Sequence, residues 1–224
     1  MKPRTDHEPG QARSALAYDL VRRRIAEGLL RPGEHVGESE MAQALGLSRT
    51  PVREAMKLLQ AEGLLEASPG RGHTVAMLSR EQASQLFYMR EAIEGMAARL
   101  AATHANAAQI EAMAAALREE GALPESEPDA LLAVNDRFHK VIHDAACNRY
   151  VLQAMQVYDT GMIILRLMTR VRFTPSANAH EHHVAVFQAI EREDPVAAEA
   201  AMRQHIRASR RKRLALLNGS DWSA

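Results

Sequence analysis

The stretch Leu45-Gly46-Leu47-Ser48-Arg49-Thr50-Pro51-Val52-Arg53-Glu54-Ala55 decides the fold. Gly46 permits a tight turn and Ser48 is a residue type that caps helices. A helix is therefore predicted from Ser48 to about Gly63, with a shorter one over Glu38 to Leu45 before it. Two helices meeting at a glycine-containing turn form a helix-turn-helix. In the second of them Arg49 and Arg53 stand four residues apart and share a face, as do Thr50 and Glu54, whereas Val52, Ala55, Leu58 and Leu59 are placed to enter a small core. Arginines at this spacing are, taken alone, ordinary solvated charges. Their place straight after the turn supports a second reading: a helix fits the DNA major groove, its first residues reach base edges, and its free amides favour phosphate.

Outward from this stretch, Leu16, Leu20, Val21, Ile25 and Leu29 predict a helix from Ser14 to Leu30, ended by Arg31-Pro32-Gly33. On the other side, Leu64–Ala67 and His73–Leu78 read as two strands around Ser68-Pro69-Gly70-Arg71-Gly72, a hairpin that would be a wing. Ser79 with Gln82 is a capping box opening a long helix to about Ala105, and Asn106 with Gln109 starts the next. Gly121 to Pro128 reads as a loop. Helices are then predicted over Asp129–Ala146, Arg149–Val171, Ala177–Glu191 and Pro195–Leu217.

The fold class expected is mainly α: an N-terminal winged helix-turn-helix with a small β-hairpin wing, followed by an antiparallel all-α bundle. Length agrees, since 224 residues exceed what one modest core serves. The domains expected are a disordered tail at 1–11, a DNA-binding domain at 12–78, a helical effector, metal-binding and dimerising domain at 79–217, and a frayed tail at 218–224. With 28 basic against 28 acidic side chains, no global field draws the chain to nucleic acid or membrane, so any DNA contact must come from local placement. Cys147 is the only cysteine, which excludes an internal disulfide and fits a reducing cytoplasm. Neither a signal peptide nor a run of roughly 18 apolar residues is present, so a soluble, cytoplasmic protein is expected.

Glu38-Ser39-Glu40-Met41-Ala42, the stretch from Leu45 to Ala55, and Gly63-Leu64-Leu65 resemble the winged-helix domain of GntR-family transcription regulators over roughly residues 12–78. The resemblance implies operator contacts from Arg49, Thr50 and Arg53 and an approach of the wing glycine, Gly72, to the minor groove. Family members often carry arginine where this chain has Ser39, which implies that one contact is missing.

The second half concentrates His139, His143, His180, His182, His183 and His205. Asn135 and His139, four residues apart, face one point from a single helix, and His183 and His205 can converge on it from two others. Three imidazoles and an amide oxygen suit zinc, nickel or a similar divalent ion. His143, four residues after His139, allows a different pair, and each histidine alone also reads as a surface or satisfied core residue. Asn135-Asp136-Arg137-Phe138-His139, Asn148, His183 to Ile190, Asp194 and Met202 to His205 resemble the FCD ligand-binding domain of the FadR subfamily of GntR regulators, over roughly residues 83–215. In that resemblance an Asp and three His bind a metal, and Asn135, His139, His183 and His205 match them. An amide in place of the carboxylate weakens the site and leaves the ion more attractive to a carboxylate effector. Arg90 matches a cavity-facing arginine that would pair with that carboxylate; its alternative is a surface pair with Glu94.

The basic run Arg207, Arg210, Arg211, Lys212 and Arg213 reads as a solvated helix end, and Met77, Met89, Met96, Met113, Met155, Met162, Met168 and Met202 as core fillers. The function expected is a homodimeric, ligand-controlled regulator, a repressor by the commoner habit of the family, binding a palindromic double-stranded operator and touching no membrane. A purely structural metal is one rival. A metal-dependent hydrolase is another, with Asp136 or Glu181 as its base, but no motif supports either residue.

Overall fold

The computed structural model of the chain describes residues 9–68, 72–169 and 178–217. The tail expected at 1–11 lies outside these residues up to position 8, as do the wing tip at 69–71, positions 170–171, Ala177 and the tail at 218–224. The described chain runs α1 (Pro9–Ala26), β1 (His35–Val36), α2 (Glu38–Leu45), α3 (Arg49–Ala61), β2 (Leu65–Ser68), β3 (Gly72–Val75), α4 (Arg80–His104), α5 (Ala107–Ala122), α6 (Pro128–Ala145), α7 (Arg149–Thr169), α8 (Ala179–Glu191) and α9 (Pro195–Leu217). The protein is mainly helical, with one small antiparallel sheet. It divides into two compact units: the described residues up to Leu78 together with Thr160–Met168, and Ser79–Asp159 together with the described residues from Thr169 onward.

In the first unit α1 packs on α3 and α2 on α3. The buried line of α1 is Ala17, Val21 and Ile25, all fully covered, while Leu16 and Leu29 of the expected stripe stand 49% and 62% exposed. Residues at spacings of four stay on one face, and Leu16 lies about 100° round from Ala17. Leu29 lies past the end of the helix, which is set by Gly28 rather than by Arg31-Pro32-Gly33: Gly28 takes φ +76° and the Leu29 amide donates back to the Arg24 carbonyl at 2.9 Å. The helix also starts earlier than expected, so residues 9–11 of the expected tail are helical.

On α3 the buried line is Val52, Ala55, Met56 and Leu59, and Leu58 is 52% exposed. This corrects the expected core face at one position. Steps of three and four from Val52 reach 55, 56 and 59, whereas 58 is carried to another side. The sheet also holds a strand the hairpin reading missed. Its order is β1-β3-β2, because His35 and Val36 pair with Thr74 and His73 across the wing strand.

In the second unit α4 packs against α6, α8 and α9, α5 against α6 and α8, and α8 against α9. Both expected capping boxes form: Ser79 and Gln82, and Asn106 and Gln109, exchange reciprocal hydrogen bonds. The expected loop begins later than Gly121, since α5 runs to Ala122. The Asn148 side chain accepts from the Tyr150 and Val151 amides at 3.0 and 3.2 Å and so opens α7. The expected solvated end of α9 needs correction. Arg213 is buried and donates to Thr169, Arg210 stacks over Tyr88 at 4.4 Å, and Arg207 pairs with Glu91 at 2.8 Å. Met96 is 41% exposed and is no core filler, whereas Met113, Met155, Met162, Met168 and Met202 are buried.

Candidate DNA interface and candidate metal centre

Ser48 occupies the N-cap of α3 in extended geometry, with no hydrogen bond from its own side chain, and Gly46 closes α2 in the left-handed region at φ +66°. This turn presents the first residues of α3 outward. Arg49, Thr50 and Arg53 are exposed, whereas Val52, Ala55 and Met56 on the same helix are buried. Arg53 lies 3.6 Å from Glu54, an open pair with half-exposed side chains that contributes little and yields readily to a phosphate or base. Gly72 sits exposed where the wing hairpin turns, paired with Ser68. Its φ is +98°, and an added Cβ would come within 3.2 Å of the Val36 carbonyl, so both conformation and space demand glycine there. An open groove of about 920 Å³ runs between α1 and α3, bordered by Ser14, Tyr18, Thr50, Glu54 and the exposed Leu58.

In the other unit, His139 from α6, His183 from α8 and His205 from α9 converge, each buried and each offering a ring nitrogen within 4.8 Å of the others. Their ring centroids are 4.4 to 5.5 Å apart. The His183 and His205 Nε2 atoms approach to 3.3 Å, and His139 Nε2 and His205 Nδ1 are buried with no hydrogen-bond partner. Each such orphan costs about 1–3 kcal/mol. Two nitrogens bound to one tetrahedral zinc at about 2.0–2.1 Å each would themselves stand about 3.3 Å apart. The donor set and its unsatisfied atoms therefore fit a divalent ion. Asn135 lies half-buried one turn before His139, where its amide donates to Asp136 at 3.0 Å.

Two carboxylates that the sequence did not single out frame this cluster. Glu94 on α4 is fully buried: its Oε2 lies 3.0 Å from His139 Nδ1 and 2.9 Å from His143 Nε2, and its Oε1 3.1 Å from Arg90 Nε. Glu120 on α5 meets His183 Nδ1 at 2.9 and 3.0 Å and His180 Nδ1 at 3.0 Å. Arg90 is thus paired with Glu94 as one alternative held, but inside the unit rather than on its surface, with its guanidinium 4.9 Å from the Tyr158 ring. Glu94 and Glu120 are not legible as site residues along the chain, because each lies far in sequence, 45 and 63 residues, from the histidine it meets. Only the i,i+4 spacing to Arg90 hinted at Glu94.

Burial pushes the His139 imidazole down to about 4, helped by the nearby Arg90 and His183 charges and opposed by Glu94. His205 is driven well below its usual value, first by burial and then by His183, His139 and Arg90. Burial alone would raise the two carboxyls. His139, Arg90 and His143 outweigh it at Glu94 and hold that group well below the usual carboxylate range, and the hydrogen bonds and charge of His183 and His180 lower Glu120. Neutral imidazoles beside ionised carboxylates are the protonation states that metal binding requires. As for a hydrolytic base, Glu181 is exposed and Asp136 already receives the Asn135 amide.

No described helix is long and apolar enough to cross a membrane. Residues 14–75 match the family described as bacterial regulatory proteins, gntR family, and residues 85–208 match the FCD domain. The HTH-type transcriptional repressor RspR of Escherichia coli is 28% identical over 224 residues, 99% of this chain and 98% of its own. A probable D-xylose utilization operon transcriptional repressor of Paenarthrobacter nicotinovorans is 34% identical over 85% of this chain and 84% of its own. Among solved structures, Escherichia coli McbR/YncC superposes with a TM-score of 0.74 over 92% of this chain and 97% of its own, at 19% identity. A transcriptional regulator described as GntR from Rhodococcus sp. RHA1 gives 0.73 over 91% and 98%, at 18% identity. These are regulators and not enzymes, and this chain, with its helix-turn-helix half and its FCD half, belongs to the gntR family of bacterial regulatory proteins.

Proposed function

We propose that the protein is a homodimeric repressor that binds a palindromic operator through residues 12–78 and senses a small carboxylic acid at a metal-containing site within residues 79–217. The observation that carries the DNA reading is α3 itself: Arg49, Thr50 and Arg53 exposed on its first turns, with Val52, Ala55, Met56 and Leu59 locked inside. Arginine is the side chain best suited to the paired acceptors of guanine, and Gly72 lets backbone approach the duplex at the wing. Two copies would place two such helices on successive half-sites about one helical turn apart. Repression is the role given to the Escherichia coli and Paenarthrobacter nicotinovorans relatives.

For sensing, His139, His183 and His205, with Asn135 one turn before His139, are the residues that would hold a divalent ion of the zinc or nickel kind. Once bound, such an ion supplies a Lewis-acidic point for an anionic ligand. Arg90 spends its Nε on Glu94, and the fork of its terminal nitrogens is the part that would receive an effector carboxylate. Burial around the cluster keeps the site dry, which strengthens both contacts. Effector binding would change how two winged helices in a dimer are placed, so that they no longer reach both half-sites together. The test is an operator selected from random duplexes, followed by titration of the bound complex with organic acids, with and without zinc or nickel. Release of DNA by an acid only when metal is present supports the reading. Salt-insensitive or absent DNA binding would overturn it.

A further inference from the structure

We propose that Glu94 and Glu120 are positioning residues which turn a ligand set without a carboxylate into a strong metal site, standing in for the direct carboxylate that Asn135 does not supply. This rests on the metal-sensing reading above.

An ionised carboxylate only accepts hydrogen bonds, so a ring nitrogen held at hydrogen-bond distance from it carries the proton. Glu94 Oε2 stands 3.0 Å from His139 Nδ1, and the Glu120 oxygens stand 2.9 and 3.0 Å from His183 Nδ1. Both imidazoles are thereby fixed with the proton on Nδ1 and the lone pair on Nε2. Those are the atoms the cluster turns inward: His139 Nε2 is buried and partnerless, and His183 Nε2 is 3.3 Å from His205 Nε2. Arg90, 3.1 Å from the other oxygen of Glu94, keeps that carboxylate an acceptor at a fully buried position. His143 and His180 complete the two carboxylates' coordination, at 2.9 and 3.0 Å, so neither acid is free to rotate away.

Hydrogen bonding to a carboxylate makes an imidazole a better donor and pins its plane. Without it, either tautomer is open, and the one with the proton on Nε2 cannot ligate. The three histidines and the amide are neutral donors, so before an anionic effector binds, the negative charge nearest a divalent ion comes from one bond further out. Among the described residues of the second unit, Glu94 and Glu120 are the buried acids hydrogen-bonded to the cluster. Nitrogen donors so reinforced favour zinc, nickel or cobalt over magnesium and calcium.

The experiment uses the metal-free full-length protein, titrated with Zn2+ against a chromophoric chelator and with Co2+ by its visible absorption. Glu120→Gln is the main variant, because Glu94→Gln also strands the buried Arg90. The expected result is a loss of zinc affinity on the order of 10–100-fold for Glu120→Gln. Its Co2+ bands should shift, and the melting temperature of the metal-free protein should stay at the wild-type value. The double variant Glu120→Gln/Asn135→Asp is expected to regain most of the affinity. Zinc affinity in Glu120→Gln within threefold of wild type overturns this inference alone. So does a loss accompanied by melting of the metal-free protein that Asn135→Asp does not repair. Wild-type protein that takes up no ion overturns the sensing reading and this inference with it.

Discussion

At the scale of single residues, the two ends of the protein work by opposite uses of burial. Arg49 and Arg53 are exposed, so under the proposed reading their removal should alter DNA recognition and leave folding alone. Arg49→Ala and Arg53→Ala are each expected to weaken specific operator binding by about 1–3 kcal/mol and to lower the slope of log affinity against log salt by about one contact. Fluorescence anisotropy across a salt series checks this, and unchanged slopes in both variants would place the arginines off the duplex. Arg90 and Glu94 are the reverse case: a buried pair in which loss of one partner strands the other. Arg90→Ala is expected to destabilise the second unit by about 3–5 kcal/mol, read as a drop in its melting temperature. A melting temperature equal to wild type would show that the Glu94 charge is compensated elsewhere.

At the scale of elements, local signals and packing settle different things. The Ser79–Gln82 box was legible from the sequence because a cap is a matter of residue types three positions apart, and it forms. Ser79→Ala should cost about 1 kcal/mol, measured by denaturant unfolding, and Ser79→Thr should cost much less. The third strand was not legible, since His35 and Val36 gain their partners only when β3 comes alongside. In the same unit the Tyr18 hydroxyl donates to Glu62 at 2.7 Å and ties α1 to the end of α3. Burial, the hydrogen bond to Glu62 and the Glu62 charge together raise the Tyr18 phenol to about 12. A raised folded value means that the folded state keeps its proton longer than the unfolded one. This contribution is therefore complete below about pH 10, the ordinary value of a tyrosine phenol, and is lost as pH rises toward 12. Tyr18→Phe should remove that alkaline loss of stability, and a pH-stability curve identical to wild type between these limits would contradict the assignment.

At the scale of the whole molecule, a metal that binds only the folded site must stabilise it. Free Zn2+ or Ni2+ at about 100 times its dissociation constant should add about 2.7 kcal/mol. That is a rise of roughly 5–10 °C in the melting of the unit that holds the histidine cluster, reversed by a chelator. His183→Ala should abolish the rise, and a melting temperature indifferent to metal in the wild type would remove the ion from the account. The helix-turn-helix, the wing and most helix boundaries are legible along the chain, because periodicity, caps and turns are local properties, whereas the trio His139, His183 and His205 stands apart from the other histidines through the resemblance to the FCD domain. Only the tertiary structure decided which leucines are core and that Arg213 is buried. It alone brought Glu94 and Glu120 from other helices onto the outer nitrogens of two of those histidines. A hydrogen bond between residues 45 or 63 positions apart depends on how helices pack, and no spacing along one helix encodes that.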